Sequence, residues 1–162
     1  MGRYRKLVAA LVQHTNINLR EINKKIPAVD GMMLSMQEWQ VLEYIIEHEA
    51  DDAHMIHISS ALGIPQSSFS KIARQLYSLG LIERYRTASN KKNVILKPSE
   101  KGHAVYDGRS NTMTRAIFQP FFDRLSNMPD QELAEFVDAL NVLNETLIAS
   151  QKKEQEEELI RL

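Results

Sequence analysis

The sequence predicts a mainly α protein with a small β-wing, a winged helix-turn-helix core flanked by N- and C-terminal dimerisation helices. Three observations lead there. Residues 56–102 read as helix, tight turn, helix and two-stranded hairpin with a basic tip. That layout offers one helix to a DNA major groove and one hairpin to the backbone beside it. Charge is banked along the chain although the net charge is only −1: residues 1–26 carry +5, 27–62 carry −7, 63–103 carry +6 and 104–162 carry −5. A basic block over a helix-turn-helix is the footprint of phosphate contact. Apolar residues also recur at helical spacing in two stretches outside that block, 3–26 and 130–149.

The elements follow in order. From Arg3 to Ile26, Leu7, Ala10, Leu11, Ile17, Leu19, Ile22 and Ile26 predict a helix that Pro27 ends. A turn-rich link with Asp30-Gly31 follows. Ser35 with Glu38 three residues on makes a capping box, and Leu34 with Trp39 a hydrophobic staple. Trp39, Leu42, Ile45 and Ile46 then mark the apolar face of a second helix. Met55–Ile58 reads as a short strand and Ser59–Gly63 as a short helix. Gly63 suits the turn, Pro65 the start of the next helix and Gly80 its C-cap.

That helix, Gln66–Leu79, carries Phe69, Ile72, Leu76 and Leu79 on one side. Polar and basic residues occupy the other. Two strands, 81–87 and 93–97, flank a turn at Ala88–Lys92. Ser99 caps a long helix to about Leu125, which Pro120 should kink or break. A last helix begins near Pro129-Asp130 with Leu133, Phe136, Leu140, Leu143 and Leu147 as its stripe, and the polar tail after Ser150 is expected to fray. The implied organisation is 1–34, an N-terminal dimerisation helix and link; 35–102, the DNA-binding domain; and 103–162, a long helix and the C-terminal dimerisation helix.

Composition narrows the function. The 162 residues are 43% hydrophobic, enough for a core without staples. No cysteine is present, which removes disulfides, thiolate metal sites and thiol redox switching. No apolar run reaches the roughly 18–20 residues of a membrane helix, and no signal peptide is evident, so no membrane partner and a cytoplasmic location are expected. No Gly-x-Ser-x-Gly elbow, His-Glu-x-x-His, Walker loop or dinucleotide fingerprint occurs. The chain therefore reads as a binding protein without a cofactor, not an enzyme.

The expected partner is double-stranded DNA. Gln66, Ser67, Ser68 and Ser70 bring small hydrogen-bonding heads to the start of the reading helix, where backbone N–H groups also favour phosphate. Lys71 reaches a guanine edge or a phosphate, and Arg74 clamps phosphate. On the first wing strand, Arg84 is expected to pair across the hairpin and Arg86 to lie nearer phosphate; Asn90, Lys91 and Lys92 form the basic tip. Two other classes compete. A winged helix can serve only protein contact. A metal-responsive regulator of the same fold is suggested by His48, Glu49, Asp51, Asp52, His54 and His57 in one segment. Read as a loop running into a strand, that segment loses the shared face that His54 and His57 would need.

Four segments, Ser35–Leu42, Ala61–Ile64, Gly80–Arg84 and Pro98–Gly102, together with the order of helices around them, resemble the multiple-antibiotic-resistance regulator (MarR) family of bacterial transcription factors. The resemblance covers nearly the whole chain. One departure stands out: Asn90 and Lys92 occupy the wing-tip positions where the family usually carries Asp and Arg. Lysine is a strongly hydrated point charge and suits a narrow minor groove less well than arginine. The resemblance implies a homodimer, interlocked through terminal helices, on a near-palindromic operator. The 3–26 and 130–149 stripes, too apolar to face water, agree with it. It further implies repression relieved by a small aromatic or acidic effector, with His14, Met32, Met36 and Trp39 as candidate pocket residues.

Overall fold

A computed structural model describes residues 2–28, 31–51, 54–86, 94–109 and 113–158. After a short turn at Gly2–Tyr4, helix α1 spans Arg5–Glu21. The expected helix stops short of Ile26, because Lys25–Pro27 forms strand β1, paired antiparallel with β2 at Met33–Ser35. Ala28 N–H donates to Met32 O at 2.7 Å and closes this hairpin. Pro27 has no N–H to carry a helix onward, and β-branched Ile26 is half-buried against Leu34 in the pairing.

Helix α2, Met36–Glu47, starts as the sequence predicts. Glu38 N–H donates to Ser35 Oγ at 3.2 Å, and Ser35 N–H donates to the Glu38 carboxylate at 2.7 Å. The Lys25 ammonium pairs with the same carboxylate, which is nearly buried. The cap thus also anchors β1.

Helix α3 runs Met55–Ala61, where a strand followed by a shorter helix was expected. Met55, Ile58 and Leu62 are three and four apart, a helical spacing that a four-residue window hides. None of Met55–Ile58 is strand, and the residue before them, His54, forms an isolated bridge with Ile95. Helix α4 is Gln66–Ser78, and strands β3 (Ile82–Arg86) and β4 (Val94–Pro98) pair antiparallel in the register Ile82↔Pro98 to Arg86↔Val94.

Helix α5, Glu100–Arg109, is capped by Ser99, whose Oγ accepts from Gly102 N–H at 3.0 Å. Helix α6, Met113–Leu125, contains Pro120 and continues past it to Leu125. Helix α7 is Asp130–Glu158, so the tail expected to fray after Ser150 stays helical. Gln, Lys and Glu dominate 151–158, and all three are good helix formers. Among the described residues, no helix is long and apolar enough to cross a membrane.

The chain divides into two compact units, Met1–Met113 and Thr114–Leu162. In the first, every residue of the buried core lies between Leu34 and Val105. Leu34, Val41, Leu42, Ile45, Ile58, Leu76 and Leu81 are fully buried and Phe69 nearly so, which joins α2, α3, α4 and the wing base in one cluster. Helix α4 enters that core with Phe69, Ile72, Ala73 and Leu76.

Candidate nucleic-acid interface

The reading helix is built by its two ends. At its start, Gly63 adopts φ +63°, and Ile64 N–H donates to Ser59 O at 2.9 Å, so the chain reverses within a few residues and Ile64 is buried. Pro65 is the N-cap residue, one position before the first helical turn, and has no side-chain cap to offer. At its end, Gly80 at φ +72° stops the helix as expected.

At about 100° per residue, Ser67, Lys71, Arg74 and Ser78 fall in one sector, opposite the buried Phe69, Ile72, Ala73 and Leu76. All four of that sector are exposed, as are Gln66, Ser70 and Gln75, while Ser68 is half-buried. The Ser78 hydroxyl donates to Gln75 O at 2.8 Å. Gln66 and Ser70 lie to one side, where they line a small open recess with Met55, Ile56, Ser59, Phe69 and Val94.

On the wing, Arg84 and Arg86 are exposed. Arg84 was expected to pair across the hairpin. The residue opposite is Leu96, and the guanidinium instead rests 5.8 Å from the centre of the Tyr77 ring. An apolar partner across the ladder leaves the cation to seek an aromatic face. Tyr77, Arg84, Tyr85, Arg86 and Val94 line a second shallow recess. The Tyr85 hydroxyl donates to the Glu83 carboxylate, and that bond is the main cause holding its pKa above the usual tyrosine value. Asn90, Lys91 and Lys92 fall outside the described residues.

Trp39 is buried and stacks on Tyr106 at 6.4 Å. Met32 packs against the core and Met36 is half-buried. His14 is exposed on α1, its Nε2 2.7 Å from the Asn18 amide. None of these four candidate pocket residues lines either recess above. Tyr106 has its pKa raised first by burial, then by the carboxylates of Glu47 and Glu43.

The loop and strand expected around His54 and His57 are not found. His54, extended in backbone, is the N-cap residue of α3 and His57 lies in its first turn, and the two rings meet edge to face at 5.6 Å. Among the described residues, however, no three His, Asp or Glu side chains gather to hold an ion. Sequence reasoning missed Tyr77 as the seat of Arg84, and it missed the bonds from Ser99 and Lys101 to the end of α4. An aromatic residue on the wing side of the reading helix was the available signal for the first.

The family model described as MarR family matches residues 34–92. No curated protein sequence matches the chain. Several solved structures share its fold. FabT of Streptococcus pneumoniae, solved in complex with DNA, is 20% identical with a TM-score of 0.58, covering 90% of this chain and 98% of FabT. AbsC of Streptomyces coelicolor, a MarR family transcriptional regulator, is 18% identical at a TM-score of 0.66, covering 90% and 96%. CouR of Rhodococcus jostii RHA1, bound to p-coumaroyl-CoA, is 18% identical at 0.63, covering 86% and 92%.

Proposed function

We propose, from the match of residues 34–92 to the MarR family model, that this chain is a DNA-binding transcriptional regulator of that family, a homodimeric repressor reading a near-palindromic operator. The observation that carries the proposal is the exposed sector of α4, with Ser67, Lys71 and Arg74 turned outward from a helix whose other side is locked in the core. Gln66, Ser67, Ser68 and Ser70 would meet base edges and nearby phosphates, and Lys71 a guanine edge or phosphate. Arg74, Arg84 and Arg86 would meet phosphate, with Asn90, Lys91 and Lys92 following the backbone. The DNA-bound relative of the same fold supports this reading.

Two copies would place two reading helices about one helical turn of DNA apart. The exposed apolar residues of α1 and α7 supply faces for that association. A small effector that spreads the two heads would release the operator. A preference of about 3 kcal/mol for the spread state costs roughly a hundredfold in affinity. The relative bound to an aromatic acyl thioester supports an effector of aromatic character. The carboxylates of Glu43 and Glu47 beside Tyr106 favour an uncharged ring over an acid next to Trp39.

The test is selection of bound duplexes from a random pool, with recovery of an inverted repeat expected. Lys71→Ala and Arg74→Ala should each weaken binding to that repeat by about 1–3 kcal/mol without changing dimer mass. Unaltered binding in both variants would refute the assignment of α4 as the reading helix.

A further inference from the structure

The end of the reading helix is fastened by another helix. Gly80 N–H donates to Tyr77 O at 2.9 Å, and Leu81 N–H donates to Leu76 O at 3.0 Å, the paired bonds of a Schellman ending. The carbonyls of Leu79, Gly80 and Leu81 follow just beyond the last residue of α4. All three accept from the first turn of α5. Lys101 Nζ donates to Leu79 O at 2.9 Å. The Ser99 hydroxyl donates to Gly80 O at 2.6 Å, and Ser99 N–H donates to Leu81 O at 3.1 Å. The same Ser99 oxygen accepts from Gly102 N–H, so one hydroxyl serves the end of α4 and the start of α5.

Gly102 completes the joint. A Cβ there would lie 2.1 Å from Leu81 O, so only glycine lets the two backbones approach this closely. Val105, one turn further along α5, is buried in the core. Lys101 belongs to the +6 segment that reads as phosphate-binding. Its ammonium is engaged at the negative end of a helix dipole instead.

We propose that the first turn of α5 sets the orientation of α4, with Ser99, Lys101 and Gly102 as positioning residues that do not touch DNA. Helices α4 and α5 then turn as one body, and a displacement of α5 is delivered to the reading helix. The consequence for operator binding rests on the function proposed above; the joint itself does not.

The experiment compares the full chain with K101M, K101R and K71M. Each is titrated with the duplex selected by the unmodified protein and with a mixed-sequence duplex, over a series of salt concentrations. Amide hydrogen exchange is followed at Gly80 and Leu81. K101M should lose about fivefold in affinity for the selected duplex, the scale of one helix-end cation. It should lose less on mixed sequence and keep the salt slope of the unmodified chain. K71M should reduce that slope by about one.

In K101M the Gly80 and Leu81 amides should exchange faster, and K101R should restore both readouts. A salt slope lowered in K101M as in K71M would make Lys101 a phosphate contact and overturn the proposal. Unchanged affinity or unchanged exchange in K101M would overturn it too. If the unmodified chain selects no duplex, the DNA reading fails. The exchange rates then decide the joint by themselves, slow exchange in K101M counting against it and fast exchange for it.

Discussion

The winged head and the terminal helices treat apolar side chains in opposite ways. Between Leu34 and Val105 most large apolar residues close on one another, and ten of them, Leu34, Val41, Leu42, Ile45, Ile58, Phe69, Leu76, Leu81, Ile82 and Leu96, are exposed by 1% or less. Helix α1 buries none of its residues, leaving Leu7, Val8, Val12, Ile17 and Leu19 open. On α7 no side chain from Asp130 to Ser150 is buried, and Val142 and Leu147 are more than half exposed. Removing such surface from water gains roughly 25 cal/mol per Å². In the proposed dimer, the exposed apolar residues of the terminal helices would be the surface that a second chain covers.

The largest expected effect tests the pairing side. Leu143→Glu with Leu147→Glu puts charge on positions that face solvent in a single chain, so the head should keep its urea midpoint. Sedimentation equilibrium should show the dimer replaced by single chains, because a buried unpaired carboxylate is strongly unfavourable at an interface. A double variant that keeps its dimer mass would remove α7 from the interface. The next effect tests the head. Phe69→Ala empties the centre of the core and should cost about 3–5 kcal/mol in urea unfolding. That loss should not depend on protein concentration, whereas any loss from the α7 variants should.

Much of the head could be read directly from the residues, because its signals are local. The Ser35–Glu38 box, Gly63 in the turn, Gly80 after α4 and the apolar side of α4 each follow from neighbours three or four positions away, and the structure has each in place. Errors arose where distant partners decide. Ile22 and Ile26 continue a helical rhythm, but Met33–Ser35 draws Lys25–Pro27 into a hairpin. Met55–Ile58 has strand-like composition, yet α3 begins at Met55 itself, and the residue before it, His54, bridges to Ile95 some forty positions away. Arg84 had an alternating pattern to suggest a cross-strand partner, and its aromatic seat, Tyr77, lies seven positions away on another element, where only an aromatic residue on the wing side of α4 hinted at it. The bonds from Ser99 and Lys101 span about twenty positions, beyond any local pattern.

The smallest effect sharpens the contrast through pH. Glu43 sits half-buried on α2, and its carboxyl is held above the ordinary carboxylate value first by burial and then by Glu47. Since the folded value exceeds the unfolded one, the unfolded chain gives up this proton first as pH rises. Stability from the neutral carboxyl is therefore complete at low pH and falls away as pH climbs through the unfolded value and then the folded one. At neutral pH the ionised group costs stability, and water reaching the side chain keeps that cost small. Glu43→Gln should raise the melting temperature modestly at pH 7, with the gain vanishing below about pH 4, near the unperturbed carboxylate range. The matching change on the open helix, Glu145→Gln, should leave melting unaltered at both pH values, since Glu145 is exposed. Equal shifts from the two variants would mean that the head does not hold its charges differently from the helices, and the contrast would then be confined to apolar side chains.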